Sequence, residues 1–295
     1  MAITTLEASH LLEVGAMLGE GPAWIGGALW FVDIKNNTVF RFDPQTGEMA
    51  RWSAPEHVGW VLPSAHRGLI AGLRSGPHRF LPDTGAFERI AEVQAELPDN
   101  RLNDAAIDGA GRIWFGTMDN REASETGRVF VLDNGALRET SLAPVSITNG
   151  PAISPCGALL YHVDTIGRRV IRHGIAADGT PDAGETFADF NAPERGDWGH
   201  PDGAICDAEG GVWLGFFGGG AARRFAPDGA LTHEVRFPVS NVTKIAIGGP
   251  DGRTAYATSA RQGLSQEQLT AQPQAGDLFT FRVEVPAAPA RRANT

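Results

Sequence analysis

The chain has 295 residues, of which 25 are basic and 35 acidic, so its net charge at neutral pH is −10. This acidic balance argues against nucleic acid as a partner, because phosphate backbones require a basic surface. The 37 glycines and 19 prolines are spread along the chain and mark no single linker, which indicates one β-rich domain with many tight turns. We place this domain at residues 1–285 and expect residues 286–295 to form a disordered tail.

One pattern recurs six times along the chain, in which a turn containing Gly or Asp is followed by a short apolar run. The runs begin 40, 44, 46, 53 and 43 residues apart and lie at residues 29–33, 69–73, 113–117, 159–163, 212–216 and 255–259. Four-stranded propeller blades repeat at about 40–50 residues, whereas helical repeats would need long segments of helical periodicity, which this sequence lacks. A β-sandwich would give no reason for six repeats. The sequence therefore predicts an all-β fold, a six-bladed β-propeller with four-stranded antiparallel blades around a central channel.

Each blade is predicted to begin with an innermost strand, to turn, and to continue into the apolar run. Hairpin turns precede four of the runs, at residues 108–111, 154–157, 207–210 and 250–252. Third strands are predicted at residues 39–42, 128–132 and 278–283. We expect residues 6–14 to pair with the last blade and to close the ring.

Four oxygen-bearing side chains share one phase of the repeat, nine or ten residues before an apolar run: Glu20, Asn103, Asn149 and Asp202. This phase is the start of the innermost strand, so in a closed propeller the four side chains meet at the channel. Two carboxylates that face each other would repel unless a cation or proton lay between them. Oxygen ligands suit Ca²⁺, Mg²⁺ or Mn²⁺, with Fe²⁺ and Zn²⁺ as further candidates. Each residue alone is an ordinary turn residue, but the shared phase predicts a catalytic metal site with open positions for water and substrate.

Nothing in the sequence indicates secretion or membrane insertion. The first ten residues lack the basic and apolar regions of a secretory signal, and no segment approaches the ~20 apolar residues of a membrane span. Cys156 and Cys206 are interpreted as free thiols, since a secreted domain of this size held by disulfides would carry more cysteines. We expect a cytoplasmic monomer or weak dimer without membrane or nucleic acid partners.

Seven short motifs between about residues 15 and 285 carry a resemblance to a known family. They read Leu18-Gly-Glu-Gly-Pro-Ala-Trp24, Trp30-Phe-Val-Asp-Ile34, Arg101-Leu-Asn-Asp104, Gly116-Thr-Met118, Thr148-Asn-Gly-Pro151, Pro201-Asp-Gly203 and Asn241-Val-Thr-Lys244. In this order and spacing they resemble the regucalcin/gluconolactonase (senescence marker protein-30) family. The resemblance implies a six-bladed propeller that holds one divalent metal through Glu20, Asn149 and Asp202. It also implies that Arg101 and Asn103 contact the substrate, and Arg101 is named by the resemblance alone.

The sequence departs from the family pattern just after Gly116-Thr-Met118. Mammalian-type members carry a glutamate there that contacts the substrate, whereas an ungapped count places Arg121 at the corresponding position. Asp119 and Glu122 are the neighbouring carboxylates considered as replacements. The sugar preference of those members is therefore not carried over to this chain.

The motifs lead to the hypothesis of a hydrolase of carboxylic ester bonds, a sugar lactonase of carbohydrate metabolism. Its substrate would be a small sugar lactone such as gluconolactone, xylonolactone or arabinonolactone. The metal would polarise the lactone carbonyl, Asp202 would act as general base toward water, and Arg101 and Asn103 would orient the sugar. Because aldonolactones already open slowly in water, no covalent nucleophile is required.

Two other functions remain open on the same scaffold. One is metal-dependent hydrolysis of aryl esters or phosphotriesters, for which His200 is the evident histidine near the predicted metal. The other is a noncatalytic calcium-binding or protein-interaction propeller.

Overall fold

The computed structural model describes residues 3–295 of the chain, apart from the side chain of Asp197. The described residues form six sheets of β-strands. Two short strands come first, β1 (Thr4–Glu7) and β2 (Ser9–Leu12). The next three sheets contain β3 (Gly19–Ile25), β4 (Ala28–Asp33), β5 (Thr38–Phe42), β6 (Met49–Ser53), β7 (Val58–Pro63), β8 (Leu69–Leu73), β9 (Gly76–Leu81), β10 (Ala86–Arg89), β11 (Asn100–Ile107), β12 (Ile113–Asp119), β13 (Val129–Asp133) and β14 (Ala136–Glu139). The last three contain β15 (Thr148–Ile153), β16 (Leu159–Asp164), β17 (Arg169–Gly174), β18 (Glu185–Asp189), β19 (His200–Cys206), β20 (Val212–Phe217), β21 (Ala221–Phe225), β22 (Leu231–Arg236), β23 (Val242–Gly248), β24 (Thr254–Ser259) and β25 (Leu278–Arg282).

Each sheet is one blade, and its innermost strand contacts the innermost strands of the two neighbouring blades. The strands β3, β7, β11, β15, β19 and β23 follow one another in this way, and β23 returns to β3. The predicted six-bladed β-propeller is confirmed. We call the end of the channel at which these innermost strands begin the upper end.

The N-terminal segment completes the last two blades. β2 pairs antiparallel with β25 and supplies the outermost strand of blade six, as expected for closure of the ring by residues 6–14. β1 pairs in parallel with β22, so that blade five has a fifth strand, which was not predicted. Because the first strands of the chain lie on its last two blades, their hydrogen bonds hold the ring closed and cover two sheet edges.

The innermost strand of every blade carries a register irregularity near its upper end. The shifts lie between Glu20 and Ala23, Val58 and Trp60, Leu102 and Ala105, Asn149 and Ala152, Pro201 and Ala204, and Val242 and Ile245. A β-bulge interrupts the strict alternation of side chains and re-aims the residue at which it occurs. In blades one, three, four and five the shift coincides with the residue selected by the repeat phase, so the bulges turn these side chains toward the channel.

Buried aspartates fix the predicted turns of blades three and five. Asp108 accepts hydrogen bonds from Nε of Arg112 at 2.6 Å and from the indole of Trp114 at 2.9 Å. Asp207 accepts a corresponding bond from the indole of Trp213 at 3.2 Å. These bonds satisfy a buried carboxylate and anchor the tryptophan of the apolar run. They explain why Asp, Gly and Trp recur together in the repeat.

Aromatic side chains fill the space between neighbouring blades. The rings of Trp60 in blade two and Phe115 in blade three are 6.0 Å apart, and Trp24 of blade one stacks on Tyr256 of blade six at 5.4 Å. Each such pair contributes about 0.5–1.5 kcal/mol beyond the burial of its surface. The core is therefore a set of layers between blades, which keeps the innermost strands at a fixed separation around the channel.

Helices make a small contribution to the described part of the chain. A short 3₁₀ helix spans Pro193–Trp198, and α1 spans Gln266–Ala271 between β24 and β25, with Ser265 as its N-cap. No helix within residues 3–295 has the length and apolar character needed to cross a membrane.

Residues 286–295 do not have the structure expected of a disordered tail. The segment crosses the lower end of the channel, where the backbone of Ala293 pairs with Pro63 and Ala65 at 2.8 Å. Ala293 is fully buried, and Arg291 donates a hydrogen bond to the carbonyl of Ser154 at 2.8 Å. The order comes from backbone pairing and from one guanidinium group, neither of which produces a hydrophobic pattern in the sequence. The segment therefore belongs to the folded domain.

Replacing Ala293 by Glu should destabilise the protein, because a charge would be forced into a fully buried site. We expect the free energy of unfolding to fall by about 3 kcal/mol in chemical denaturation. The matched control is Ala290→Glu, since Ala290 is exposed in the same segment, and its effect should stay within about 0.5 kcal/mol. Equal stability of the two variants would contradict the packing of residues 286–295 against the propeller.

Candidate active site

All five residues proposed from the sequence lie together at the upper end of the channel. Glu20, Arg101, Asn103, Asn149 and Asp202 line one cavity of about 270 Å³. They come from the innermost strands of blades one, three, four and five. Their exposed fractions lie between 4% and 7%, so each polar group is largely shielded from bulk water and depends on the others for its interactions.

A series of hydrogen bonds orients the amide side chains of the site. Nη1 of Arg101 donates to Oδ1 of Asn103 at 2.6 Å. Nδ2 of Asn103 donates in turn to Oδ1 of Asn149 at 3.0 Å, and Nδ2 of Asn149 donates to Oγ1 of Thr165 at 3.0 Å. Because the nitrogen of Asn149 is held by Thr165, its oxygen points to Asn103 and keeps one lone pair for a further ligand. Thr165 had no signal in the sequence, since it lies outside the repeat phase.

The carboxylates of Glu20 and Asp202 are buried, which disfavours their ionised forms. Burial raises the pKa of Glu20 to about 7, with a further contribution from the charge of Asp104, although the N–H of Gly21 donates to Oε2 at 2.7 Å and opposes the shift. Burial also raises the pKa of Asp202 well above its usual value, and the charges of Glu20 and Asp104 act in the same direction. Both groups can be ionised together only if a positive charge lies close to them.

A buried ion pair also lies in the channel, and the sequence analysis did not identify it. Nζ of Lys244 donates to Oδ1 of Asp104 at 2.5 Å, whereas Oδ2 of Asp104 is buried without a hydrogen-bond partner in residues 3–295. The stem of Lys244 passes over Gly203, where an added Cβ would lie 2.5 Å from Cβ of the lysine. Gly203 is thus required so that the Lys244 side chain can reach across to Asp104.

Only part of the signal for this pair was present in the repeat. Asp104 directly follows Asn103 and lies nine residues before the apolar run at 113–117, whereas Lys244 lies eleven residues before the run at 255–259, just outside the phase that selects Glu20. Their pairing across the channel becomes evident only when the ring is closed.

The side chains around the cavity fit a divalent cation. Glu20 and Asp202 contribute carboxylates and Asn149 an amide oxygen, all of them hard oxygen donors. Asp104 and Lys244 offset each other's charge, so two carboxylates face one guanidinium group, that of Arg101. Within residues 3–295, no three or more His, Cys, Asp or Glu side chains are grouped to hold a metal. An ion at this place would therefore depend on the amide oxygen and on water, which leaves positions open for a substrate.

The loop after β12 places Glu122, and not Arg121, at the cavity. Arg121 is exposed and forms an ion pair with Asp99, whereas Glu122 lines the cavity mouth with a left-handed backbone (φ 59°). The carboxylate of Asp119 accepts hydrogen bonds from the backbone N–H groups of residues 121, 123 and 124, which tightens the loop. Of Arg121 and the two neighbouring carboxylates considered from the sequence, Glu122 is the one that lines the cavity.

Three other reactive side chains, one histidine and two cysteines, are less well placed to take part in catalysis. His200 also lines the cavity, and its Nδ1 lies 3.3 Å from the carbonyl of Thr165. Cys156 and Cys206 are free thiols as expected, the first exposed and the second buried. Burial raises the pKa of the Cys206 thiol, so this group is poorly suited to act as a thiolate nucleophile.

Comparison with known proteins gives the family of this chain. The family model for the SMP-30/gluconolactonase/LRE-like region matches residues 18–261. The chain is 34% identical over 273 residues to the 6-deoxy-6-sulfogluconolactonase of Pseudomonas putida, which covers 92% of this chain and 93% of that protein. It is 34% identical over 281 residues to the L-arabinolactonase of Azospirillum brasilense, with coverage of 92% and 91%.

A solved structure agrees with these relatives over the full length. The crystal structure of a calcium-binding protein, regucalcin, from Agrobacterium tumefaciens superposes with a TM-score of 0.93. The two sequences are 28% identical, and the match covers 100% of both chains. From the family match, these relatives and the shared architecture, we conclude that the chain belongs to the SMP-30/gluconolactonase/LRE-like family.

Proposed function

We propose that this protein is a sugar lactonase that hydrolyses an aldonolactone to the aldonic acid, with one divalent cation held by Glu20, Asn149 and Asp202. The observation that carries the proposal is the meeting of two buried carboxylates and an oriented amide oxygen beside Arg101 and Asn103 in one cavity. Relatives named as lactonases over more than nine-tenths of the chain support the same reaction.

Hydrolysis of a lactone requires a water nucleophile and stabilisation of the negative charge that develops on the carbonyl oxygen. When bound, a divalent cation supplies positive charge at that oxygen. Asp202 takes the role of general base, since it lines the cavity and burial raises the pKa of its carboxyl well above the usual value, which makes the carboxylate a stronger base than an ordinary aspartate. Arg101 and Asn103 donate hydrogen bonds to the sugar hydroxyls.

Glu122 completes the proposed substrate contacts. It lies at the cavity mouth, where an exposed carboxylate accepts hydrogen bonds from sugar hydroxyls. It thus takes the part that the family pattern gives to a glutamate in this loop. The cavity of about 270 Å³ suits a compact monosaccharide lactone of the gluconolactone, xylonolactone or arabinonolactone kind.

Protein stripped of metal should open aldonolactones no faster than water does, and one divalent ion should restore turnover. The measurement is proton release from gluconolactone, xylonolactone and arabinonolactone after addition of Ca²⁺, Mg²⁺, Mn²⁺, Zn²⁺ or Fe²⁺. Phenyl acetate and a phosphotriester serve as alternative substrates. If these turn over and no lactone does, the protein is an ester or phosphotriester hydrolase. Metal binding without turnover of either class would indicate a binding propeller.

Asp202→Asn should lower kcat/KM for the preferred lactone by at least about 100-fold, because the amide cannot accept the proton of the attacking water. The control is Asp83→Asn, which makes the same chemical change at an exposed residue in the turn between β9 and β10. Thermal melting of both variants would verify that the fold is intact. Full activity of a folded Asp202→Asn protein would remove this residue from the mechanism.

Metal affinity should weaken as the pH falls below about 7. The pKa of Glu20 is raised to about 7, so this carboxyl is increasingly protonated below that pH and must lose its proton to bind a cation. Each proton displaced changes the apparent dissociation constant by up to about tenfold per pH unit. Calorimetric titration with Ca²⁺ or Mn²⁺ between about pH 6 and about pH 8 would measure this dependence.

The same shift has a defined sign for stability. A folded-state pKa above the unfolded value means that metal-free protein loses stability as the pH rises from about 4.5 through 7. Glu20→Gln should reduce the pH dependence of metal affinity and the pH dependence of stability, since the amide does not titrate. A metal affinity that stays constant between about pH 6 and about pH 8 would contradict the assignment of Glu20 as a metal ligand.

A further inference from the structure

Arg101 differs from the other buried cations of the described chain. Five Arg and Lys side chains are buried: Arg101, Arg112, Arg223, Arg224 and Lys244. Four of them have a carboxylate partner, in the pairs Arg112–Asp108 at 2.6 Å, Arg223–Glu234 at 2.9 Å, Arg224–Asp207 at 2.6 Å and Lys244–Asp104 at 2.5 Å. No carboxylate in residues 3–295 comes within 4.0 Å of the Arg101 guanidinium. A buried cation without a counter-ion is costly unless a ligand supplies the missing charge.

A second cation without a carboxylate partner stands next to Arg101. Lys35, in the turn after β4, donates from Nζ to Oδ1 of Asn120 at 2.7 Å. Nε of Arg101 donates to the same oxygen at 3.1 Å. One neutral amide oxygen therefore accepts hydrogen bonds from two positive groups, so the Lys35 ammonium and the Arg101 guanidinium are close neighbours. Across residues 3–295, Lys35 likewise has no carboxylate within 4.0 Å.

Both cations keep donors that no protein group takes up. The ammonium of Lys35 has three N–H groups and uses one on Asn120. Arg101 engages Nε with Asn120 and Nη1 with Asn103 and the carbonyl of Leu102, while its Nη2 makes no hydrogen bond in the described chain. Arg101 lines the cavity, and Lys35 lies next to Arg101 because both donate to Oδ1 of Asn120.

The electrostatics of the neighbourhood agree with two cations that have no carboxylate in direct contact within residues 3–295. Burial and the Arg101 guanidinium lower the pKa of Lys35, and burial lowers the pKa of Arg101 to about 10. Among the charges that raise the pKa of Arg101, Glu20 contributes most, followed by Glu122 and Asp202, yet none of these carboxylates lies within 4.0 Å of the guanidinium in residues 3–295. The exposed carboxylate of Glu122 also raises the pKa of Lys35, as a smaller contribution than burial. Arg121 does not add to the unpaired charge, because Asp99 neutralises it.

We propose that Lys35 and Arg101 form a subsite for an anionic group, a carboxylate, phosphate or sulfonate, at the end of the substrate remote from the lactone carbonyl. The oxygens of such a group match the free Nζ hydrogens of Lys35 and the free Nη2 of Arg101, and its charge supplies the counter-ion that the protein lacks. This inference rests on the proposed lactonase function and narrows its substrate class from neutral aldonolactones to lactones with a second, acidic terminus.

The kinetic experiment compares one neutral lactone with three anionic ones. Gluconolactone is the neutral substrate, and the lactones of 6-phosphogluconate, 6-deoxy-6-sulfogluconate and glucarate carry the phosphate, sulfonate and carboxylate. We expect at least one anionic lactone to exceed gluconolactone in kcat/KM by about tenfold or more. The Lys35→Gln variant should lower that ratio about tenfold, because one charge-assisted contact is lost, while Lys35→Arg should preserve most of it.

Two further variants fix the interpretation. Arg51→Gln removes an exposed positive charge on β6 and should leave the ratio unchanged, which excludes a general effect of net charge. Glu122→Gln removes the opposing charge that acts on both cations and should raise the ratio. A preference for gluconolactone in the wild type, or a ratio that Lys35→Gln does not change, would overturn the proposal.

A binding measurement separates this proposal from the proposed function. Calorimetry with the open-chain acids gluconate and 6-phosphogluconate, in the presence of Ca²⁺, does not depend on turnover. Tighter binding of 6-phosphogluconate by about tenfold in the wild type and its loss in Lys35→Gln would support the subsite even if no lactone were hydrolysed. Equal binding of the two acids by a protein that hydrolyses lactones would reject the subsite and leave the lactonase function standing.

Discussion

Glu20, Asp104 and Asp202 are carboxylates buried around one axis, where water cannot screen them and their mutual repulsion is strong. The protein compensates one of these charges internally, through Lys244. Burial raises the pKa of the other two, Asp104 adds to both shifts and Glu20 adds to that of Asp202, while Arg101 offsets part of the cost. A divalent cation from outside would relieve the remainder. The rest of the active site is arranged around this requirement, since the amides are oriented so that oxygen faces the same space. Charge burial thus explains both a demand for a metal ion and the position of the substrate next to it.

Closure of the ring is the structural condition for that arrangement. The four site residues are far apart in sequence and meet because β2 pairs with β25 and β23 contacts β3. At the same depth in each blade a register shift interrupts the sheet and turns a side chain inward. Six repeated bulges give six inward positions, and differences among them create the chemistry. Glu20 and Asp202 bring charge, and Asn103 and Asn149 bring oriented dipoles. In blade two the position is Gly59, where an added Cβ would lie 2.6 Å from the carbonyl oxygen of Asn103, so the glycine lets the backbone of blade three approach closely.

The sequence contained most of the architecture because a repeat gives each blade the same signal several times. The apolar runs, their turns and the phase of Glu20 and Asp202 could all be read without the structure. Features that depend on a single contact could not be predicted from the sequence. The backbone pairing of residues 286–295 leaves no hydrophobic pattern, and the rotation of the loop at Glu122 depends on how Asp119 caps it. The Lys244–Asp104 pair joins two blades through space, so neither residue alone indicates its partner.

The chain has only two lysines, Lys35 and Lys244, beside 23 arginines. Reagents that acylate amines therefore have two side-chain targets in addition to the α-amino group. Lys244 is buried and bound to Asp104, so of the two side chains such reagents will act mainly on Lys35. A dye or a resin attached to Lys35 consequently lies next to Arg101, a residue of the cavity. The exposed thiol of Cys156 lies in the turn between β15 and β16, at the opposite end of the channel, and it offers a point of attachment that leaves the mouth open.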